Sequence, residues 1–410
     1  MELRPILSAM RRNKVGAILI ALQMSITLAI LCNALFIIEQ RVASTRRPTG
    51  VDEASIFVLD NLWVGTPTDL PARLQADLAA MRSVPGVVDA YATNSYPLSD
   101  GGSTDGISLH PDQKDPLTLS AIYFADEHAL QTLGLKLIAG RNFNSDEIGQ
   151  KVGYTDLSRA SAVIITRGLA EKLFPGGNAV GRSIYIQTQK TQTPIIGIVD
   201  RLQVPWVVSG GWGSKFNDFS TIEPFRFIDQ GSHYMVRVRE GQLAPVMKAV
   251  QKKLIEINRA RVIEKASPLT AQRAEIYRDD RGLAVILAVV CSALVLVTAF
   301  GIVGLTSYWV AQRRRQIGIR RALGATRNII VRYFQTENFL IATAGAAVGV
   351  GLAVALNLWM VSSFEMQRMN SAYAFVGALV VLLLGQAAVL WPALRAASIP
   401  PALATRGSPY

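Results

Sequence analysis

Residues 312–334 read QRRRQIGIRRALGATRNIIVRYF and lie between two long apolar segments. They hold seven arginines: Arg313, Arg314, Arg315, Arg320, Arg321, Arg327 and Arg332. An arginine at a bilayer centre costs about 2.5–3.5 kcal/mol on insertion scales, so seven would cost roughly 20 kcal/mol. The stretch therefore stays in water while its flanks enter the membrane, and the positive-inside rule predicts it in the cytosol. It also carries a helical pattern. Ile319, Ala322, Leu323, Thr326 and Ile330 follow an i, i+3, i+4, i+7, i+11 spacing, and Arg313, Arg320 and Arg327 recur every seven residues. Gly324 is placed to end a first helix and Thr326 to cap the next. The expectation is a short basic helix against the membrane, then a tight turn into a membrane-spanning helix.

Working outward, residues 282–311 form an apolar run of about 45 Å as a helix, longer than a ~30 Å hydrocarbon core needs. The surplus is predicted to extend as a stalk outside the bilayer. Residues 335–362 and 372–394 give two further spans joined by a short outer loop, 363–371, and residues 395–410 are predicted as a cytosolic tail. Gly345 and Gly349, with Ala347 and Gly351, give the first of these a small-residue face for close helix packing. At the other end, residues 1–14 carry Arg4, Arg11, Arg12 and Lys14, followed by the uncharged apolar run 15–38. A cleaved signal peptide has an apolar core of about 7–15 residues and a small-x-small cleavage site. Neither fits, so this run reads as a retained anchor with its amino terminus inside.

The net charge of +12 on 410 residues first suggests nucleic acid or acidic lipid. Its distribution removes that suggestion. Residues 39–281 hold 28 Lys/Arg against 27 Asp/Glu, while the remainder holds 14 against 3. The excess is a topology signal, and no nucleic-acid partner is expected. Cys32 and Cys291 both lie in apolar spans, so the region between 39 and 281 has no disulfide. His110, His128 and His233 are widely spaced and form no metal-ligand pattern.

Residues 39–281 read as a large mixed α/β domain. Ser55–Leu62 is a strand, Leu70–Arg82 an amphipathic helix and Val87–Ala92 a second strand. A comparable unit recurs later as strand Tyr234–Arg239, helix Leu243–Ile257 and strand Arg261–Lys265. Two such units flanking other sequence predict one subdomain with a second inserted at about 106–229. Residues 176–183 (GGNAVGRS) mimic a phosphate-binding loop with arginine for lysine. A working loop of that kind follows a strand and opens a helix. Here a helix precedes and a strand follows, so a tight turn is expected. Residues 201–232 are rich in aromatics; Trp206, Trp212, Phe216 and Phe219 either pack within the domain or form a partner contact.

The run Gln316-Ile317-Gly318-Ile319-Arg320-Arg321-Ala322-Leu323-Gly324-Ala325-Thr326 resembles the EIGIRRALGAT signature of the MacB/FtsX-type ABC permeases. That family usually has glutamate where this chain has Gln316. The opening LSAMRRNK (7–14) and the closing PALRAA (392–397) are similar to the family's ends. AIYFADEHALQTLGLKLIAGRNF (121–143) and AVIITRGLAEKLFPGGNAVGRSI (162–184) resemble text of the MacB-type extracytoplasmic domain. The resemblance runs over most of the chain and is weakest at 200–232.

The fold class that follows is a membrane α-helical protein with four transmembrane helices and a large extracytoplasmic α/β domain of two subdomains. The resemblance implies the permease subunit of an ABC transporter in a bacterial inner membrane, with residues 317–326 docking on a separate ATPase dimer. ATP and Mg would be bound there, and no cofactor or catalytic residue is expected in this chain. It further implies mechanotransmission to the periplasmic domain and a second permease chain, identical or related. In the export branch it implies a periplasmic adaptor and an outer-membrane channel for efflux. Regulation of a cell-wall hydrolase or signalling partner, and release of lipoproteins, are the other roles the same architecture serves. No charge is expected deep in a span; Glu337 is placed near the cytosolic end of the third.

Overall fold

The computed structural model describes residues 14–398 except 66, 112, 208–215 and 365. The described chain begins in α1 (Lys14–Thr45), then builds β1 (Ile56–Trp63), α2 (Leu70–Arg82) and β2 (Val87–Thr93). A longer run follows with β3 (Ser103–Ser108), β4 (Thr118–Phe124), α3 (Ala129–Leu133), β5 (Leu137–Gly140), β6 (Gly149–Val152) and β7 (Val163–Thr166). It continues through α4 (Arg167–Leu173), β8 (Ser183–Ile186), β9 (Gln192–Val199), β10 (Ser220–Glu223) and β11 (Phe225–Ile228). Next come β12 (Gly231–Val238), α5 (Leu243–Ile257), β13 (Arg261–Pro268) and α6 (Leu269–Ile276). The last helices are α7 (Arg278–Gln312), α8 (Arg314–Ala322), α9 (Arg327–Phe364) and α10 (Ser371–Ala397). Two compact units result, one of α/β type and one of long helices.

In the α/β unit, β13-β1-β12-β2 form an antiparallel sheet whose strands come from both ends of the segment. Alternation along β1 serves two cores at once. Phe57 and Leu59 pack with Leu74, Leu78 and Met81 of α2 and Val250 and Leu254 of α5. Ile56 and Val58 join the other core, with Tyr91, Tyr123, Ile164 and Met235. At one edge Arg261 is fully buried and bonds both oxygens of Asp77 at 2.8 Å, with the Tyr234 hydroxyl donating to Asp77 at 2.7 Å and Trp63 stacked 4.2 Å from the guanidinium. That buried charge is matched at every side.

Apart from β6, which pairs in parallel with β11, the strands of residues 103–223 form a second sheet, ordered β5-β9-β7-β10-β4-β3-β8, in which β8 also pairs with β9. The run from β9 to β8 therefore closes into a ring, which removes the edge at β8 and leaves β5 as an edge strand beside β9. Ile107, Ile122, Phe124, Val163, Ile165 and Ile184 fill the core on one face. The phosphate-loop mimic is the turn between α4 and β8, as its flanks suggest. At the end of β10, Glu223 is 1% exposed; its Oε1 accepts from Gln189 Nε2 at 2.9 Å and its Oε2 has no partner. Burial pushes its carboxyl up to about 7, against the opposing pull of Lys151 and the Gln189 hydrogen bond.

Among the described residues, four helices, α1, α7, α9 and α10, are long and apolar enough to cross a membrane. Ile20, Met24, Leu28 and Cys32 of α1, spaced by four, are all fully buried. They are reached because the neighbouring helices present glycines. A Cβ on Gly345 would lie 2.8 Å from the Ala21 carbonyl oxygen, and one on Gly349 3.0 Å from Leu28 and Ser25. Ser25 Oγ donates to the Gly345 carbonyl at 2.8 Å, Asn33 Nδ2 to that of Ala353 at 3.1 Å, and Thr27 pairs with Thr298 at 2.8 Å. Gly351, expected on the same face, instead meets open space, as does the exposed Ala347. At about 100° per residue, position 351 is turned roughly 200° from 349, away from α1. Replacing Gly345 by leucine should lower the melting temperature of the detergent-solubilised protein by several degrees, while Gly351→Leu leaves it within a degree. Equal effects would contradict the assignment of faces.

Glu223 gives a pH-dependent cost. Its folded pKa of about 7 lies above the ordinary 4.5, so burial is free below pH 4.5, where both states are protonated, and its cost accrues from 4.5 to 7. The plateau above pH 7 is about 3 kcal/mol. Glu223→Gln should therefore raise the melting temperature at pH 8 and have little effect near pH 4.5, which thermal melts at the two pH values will check.

Candidate functional site

The basic stretch folds as α8 and the first turns of α9, separated only by the residues from Leu323 to Thr326. Its turn is a Schellman motif: the Ala325 amide bonds the Arg320 carbonyl at 3.0 Å and the Gly324 amide that of Arg321 at 3.1 Å. Gly324 takes φ +96°, where any Cβ is strained. This turn breaks the periodic pattern of the sequence, so Ile330 does not continue the face of Ile319 and Leu323 and is buried on α9. The helix that contains the third span starts at Arg327, directly after Thr326, and runs unbroken to Phe364.

One face of α8 is anchored. Ile317 is 5% exposed and joins the buried cluster that includes Ala393, Ala396 and Ala397 at the end of α10, and Gly318 is buried beside it. Arg313, at the corner between α7 and α8, donates Nη1 to both oxygens of Glu337 at 3.1 and 2.9 Å. Glu337 is 4% exposed and Arg313 13%. Arg320 lies over the Tyr333 ring at 5.0 Å. The opposite face is open, with Ile319 45% and Leu323 82% exposed, and Gln316, Arg320 and Ala322 exposed beside them.

Of residues 317–326, Ile317 and Gly318 thus hold the helix in place rather than face outward. They sit about 200° and 100° around the helix from Ile319. The Arg313–Glu337 pair was not anticipated; a lone acidic residue following seven arginines is the signal that could have pointed to it. Among the described residues, the aromatics of 201–232 do not form an exposed patch. Phe216 is buried and meets Trp206 edge-on at 6.5 Å, and Trp206 and Phe219 pack against the core. The closed sheet leaves an apolar flank that these rings fill. Trp212 lies outside the described residues.

Long apolar helices, a sheet-plus-barrel α/β unit and a basic helical cap define a multi-pass membrane protein with a large domain outside the bilayer. Family models agree: the MacB-like periplasmic core domain matches residues 26–254 and the FtsX-like permease C-terminal domain residues 288–401. The chain belongs to the family that joins these two domains. It is 27% identical over 226 residues to the macrolide export ATP-binding/permease protein MacB of Chromobacterium violaceum, covering 54% of this chain and 32% of that protein. It is 25% identical over 338 residues to the ABC transporter permease YvrN of Bacillus subtilis, covering 76% of this chain and 74% of that one. The chain spans about a third to a half of the length of the MacB relatives it matches. The crystal structure of the periplasmic region of MacB from Actinobacillus actinomycetemcomitans overlaps 55% of this chain and 94% of that one, at 11% identity and a TM-score of 0.35, too loose a likeness to build on.

Removing one partner of a buried ion pair leaves an uncompensated charge and costs about 3–5 kcal/mol. Arg313 keeps some access to water, so the lower end applies. Glu337→Ala should loosen the α7–α8 corner and raise the rate of tryptic cleavage within 313–327 several-fold in the purified protein, with Glu337→Gln intermediate. An unchanged rate would mean that Ile317 alone holds the helix.

Proposed function

We propose that this chain is the permease subunit of an ABC transporter and that α8 is the surface through which a separate ATPase dimer drives it. The observation that carries the proposal is the two-sided build of α8. Its inner face is fixed by Ile317 and the Arg313–Glu337 pair, while Ile319 and Leu323, one turn apart, stand exposed among arginines. An exposed apolar pair on a firmly seated helix suits insertion into a groove of a partner. The seven arginines favour a cytosolic location for this surface, and with it a periplasmic location for the α/β unit in a bacterial inner membrane. Closure of the ATPase on ATP would push α8. The uninterrupted helix α7, from Arg278 to Gln312, would pass the stroke outward. The likeness to the permease YvrN supports ATP hydrolysis on another polypeptide, and the likeness to the macrolide export protein MacB supports export. Two ATPases require two permease chains, identical or related, and efflux would engage a periplasmic adaptor and an outer-membrane channel.

The test is Ile319→Asp combined with Leu323→Asp, which leaves the bilayer-spanning residues untouched. An unpaired charge in an apolar contact costs several kcal/mol, and a loss of about 3 kcal/mol already weakens association roughly a hundredfold. The variant should insert normally, yet recover little ATPase when the tagged permease is drawn from native membranes in mild detergent. Undiminished recovery and full activity in cells would reduce α8 to a charge anchor.

A further inference from the structure

We infer that the barrel carries a binding site for a small organic cation, with the Glu223 carboxylate as its anchor. A cavity of about 200 Å³ opens among β3, β4, the loop after β6, the β8–β9 turn and the end of β10. Ile122, Phe124, Tyr154 and Leu157 supply its apolar wall, and Asp105, Asp156, Lys151 and Glu223 its charges. Three carboxylates thus face one ammonium group.

The existing partners of these groups show which one is available. Asp156 accepts from the amides of Val152 at 2.9 Å and Ser158 at 2.8 Å and from the Ser158 hydroxyl at 2.6 Å, bonds that hold its carboxyl down to about 2. Asp105 accepts from the Gly106 amide at 2.7 Å and from the Thr188 hydroxyl. Lys151 donates to the Ser158 carbonyl at 3.3 Å, and its ammonium lies 5.2 and 5.0 Å from the ring centres of Phe124 and Phe225. It forms no ion pair with Glu223. Glu223 Oε2 is therefore a buried acceptor without a donor, in a cavity whose fixed charges are net negative. A buried orphan acceptor of this kind carries its desolvation cost until a donor arrives. A protonated amine supplies both the missing donor and the opposing charge, and its hydrocarbon portion would rest on Phe124 and Leu157. The half-exposed Tyr154 ring, packed 4.8 Å from Phe227, offers the cation a π-face at the rim. The cavity is smaller than the roughly 300–1,000 Å³ of a drug-sized site, so the ligand is a small amine or the amine-bearing end of a larger molecule. This site is independent of the coupling role proposed for α8.

Benzylamine is a suitable probe, with benzyl alcohol as its neutral counterpart, both titrated calorimetrically into the full chain in detergent. Saturable binding of benzylamine at one site per chain is expected, with benzyl alcohol at least tenfold weaker. Affinity should rise about tenfold from pH 6 to pH 8, as Glu223 ionises through about 7. Glu223→Gln, confirmed folded by its melting curve, should weaken benzylamine at least tenfold and abolish that pH dependence. Thr104→Arg, which adds a cation at the exposed rim without touching the core, should weaken it similarly and decides the matter if the glutamine variant does not fold. No saturable benzylamine binding, equal affinity for benzyl alcohol, or undiminished binding by a folded variant would overturn the assignment.

Discussion

Hydrocarbon offers no hydrogen-bond partner, so every backbone polar group taken into the bilayer must find one within the protein, and each side chain left without one carries a cost. The long helices answer this for the backbone. Some side chains answer it by reaching for carbonyls on a neighbouring helix, Ser25 for Gly345 and Asn33 for Ala353, while Asn338 keeps both amide atoms buried without a hydrogen bond. Those bonds require close approach, which the glycines of α9 permit. The same constraint expels the seven arginines and gathers them into α8 and the start of α9. Where one of them, Arg313, turns back toward the helices, it does so with Glu337 as its partner.

The α/β unit works under a looser rule, because water is at hand, and two of its buried carboxylates show the range. Asp77 is met by Arg261 and Tyr234, and its charge is fully compensated. Glu223 is met only by Gln189 on one oxygen, and its proton is retained to about pH 7. Fully paired, a buried carboxylate is part of the scaffold; half paired, it is a feature that structure alone does not need. The sheet and barrel share the core around Val58, Tyr91, Tyr123 and Met235, so neither is an independent ornament on the other.

In α8 the division of labour is between faces of a single nine-residue helix. A helix this short has little stability of its own. It persists because Ile317 enters the helical core, Arg313 is pinned to Glu337 and the Schellman turn at Gly324 closes its end. Under the proposed coupling role, that seating lets a push on Ile319 and Leu323 move the bundle rather than merely bend a loop.

The spans, the helices at 70–82 and 243–257 and the glycine-ended basic helix were legible in the sequence. Each is set by a local period or by one residue type, such as the uncharged run of α1 or Gly324 at positive φ. The specific run from Ile317 to Thr326 also points to the family by sequence alone. What the sequence left open depends on residues far apart in the chain. Closure of the barrel rests on β8 meeting both β3 and β9. The inward turn of Ile317 rests on the alanines near the end of α10. The contrast between Gly345 and Gly351 rests on where α1 lies, and the fate of Trp206, Phe216 and Phe219 on a core assembled from distant strands. Glu223 reads in sequence as an ordinary strand-end glutamate; only the tertiary structure removes water from it, and desolvation is a property of surroundings that no local pattern encodes.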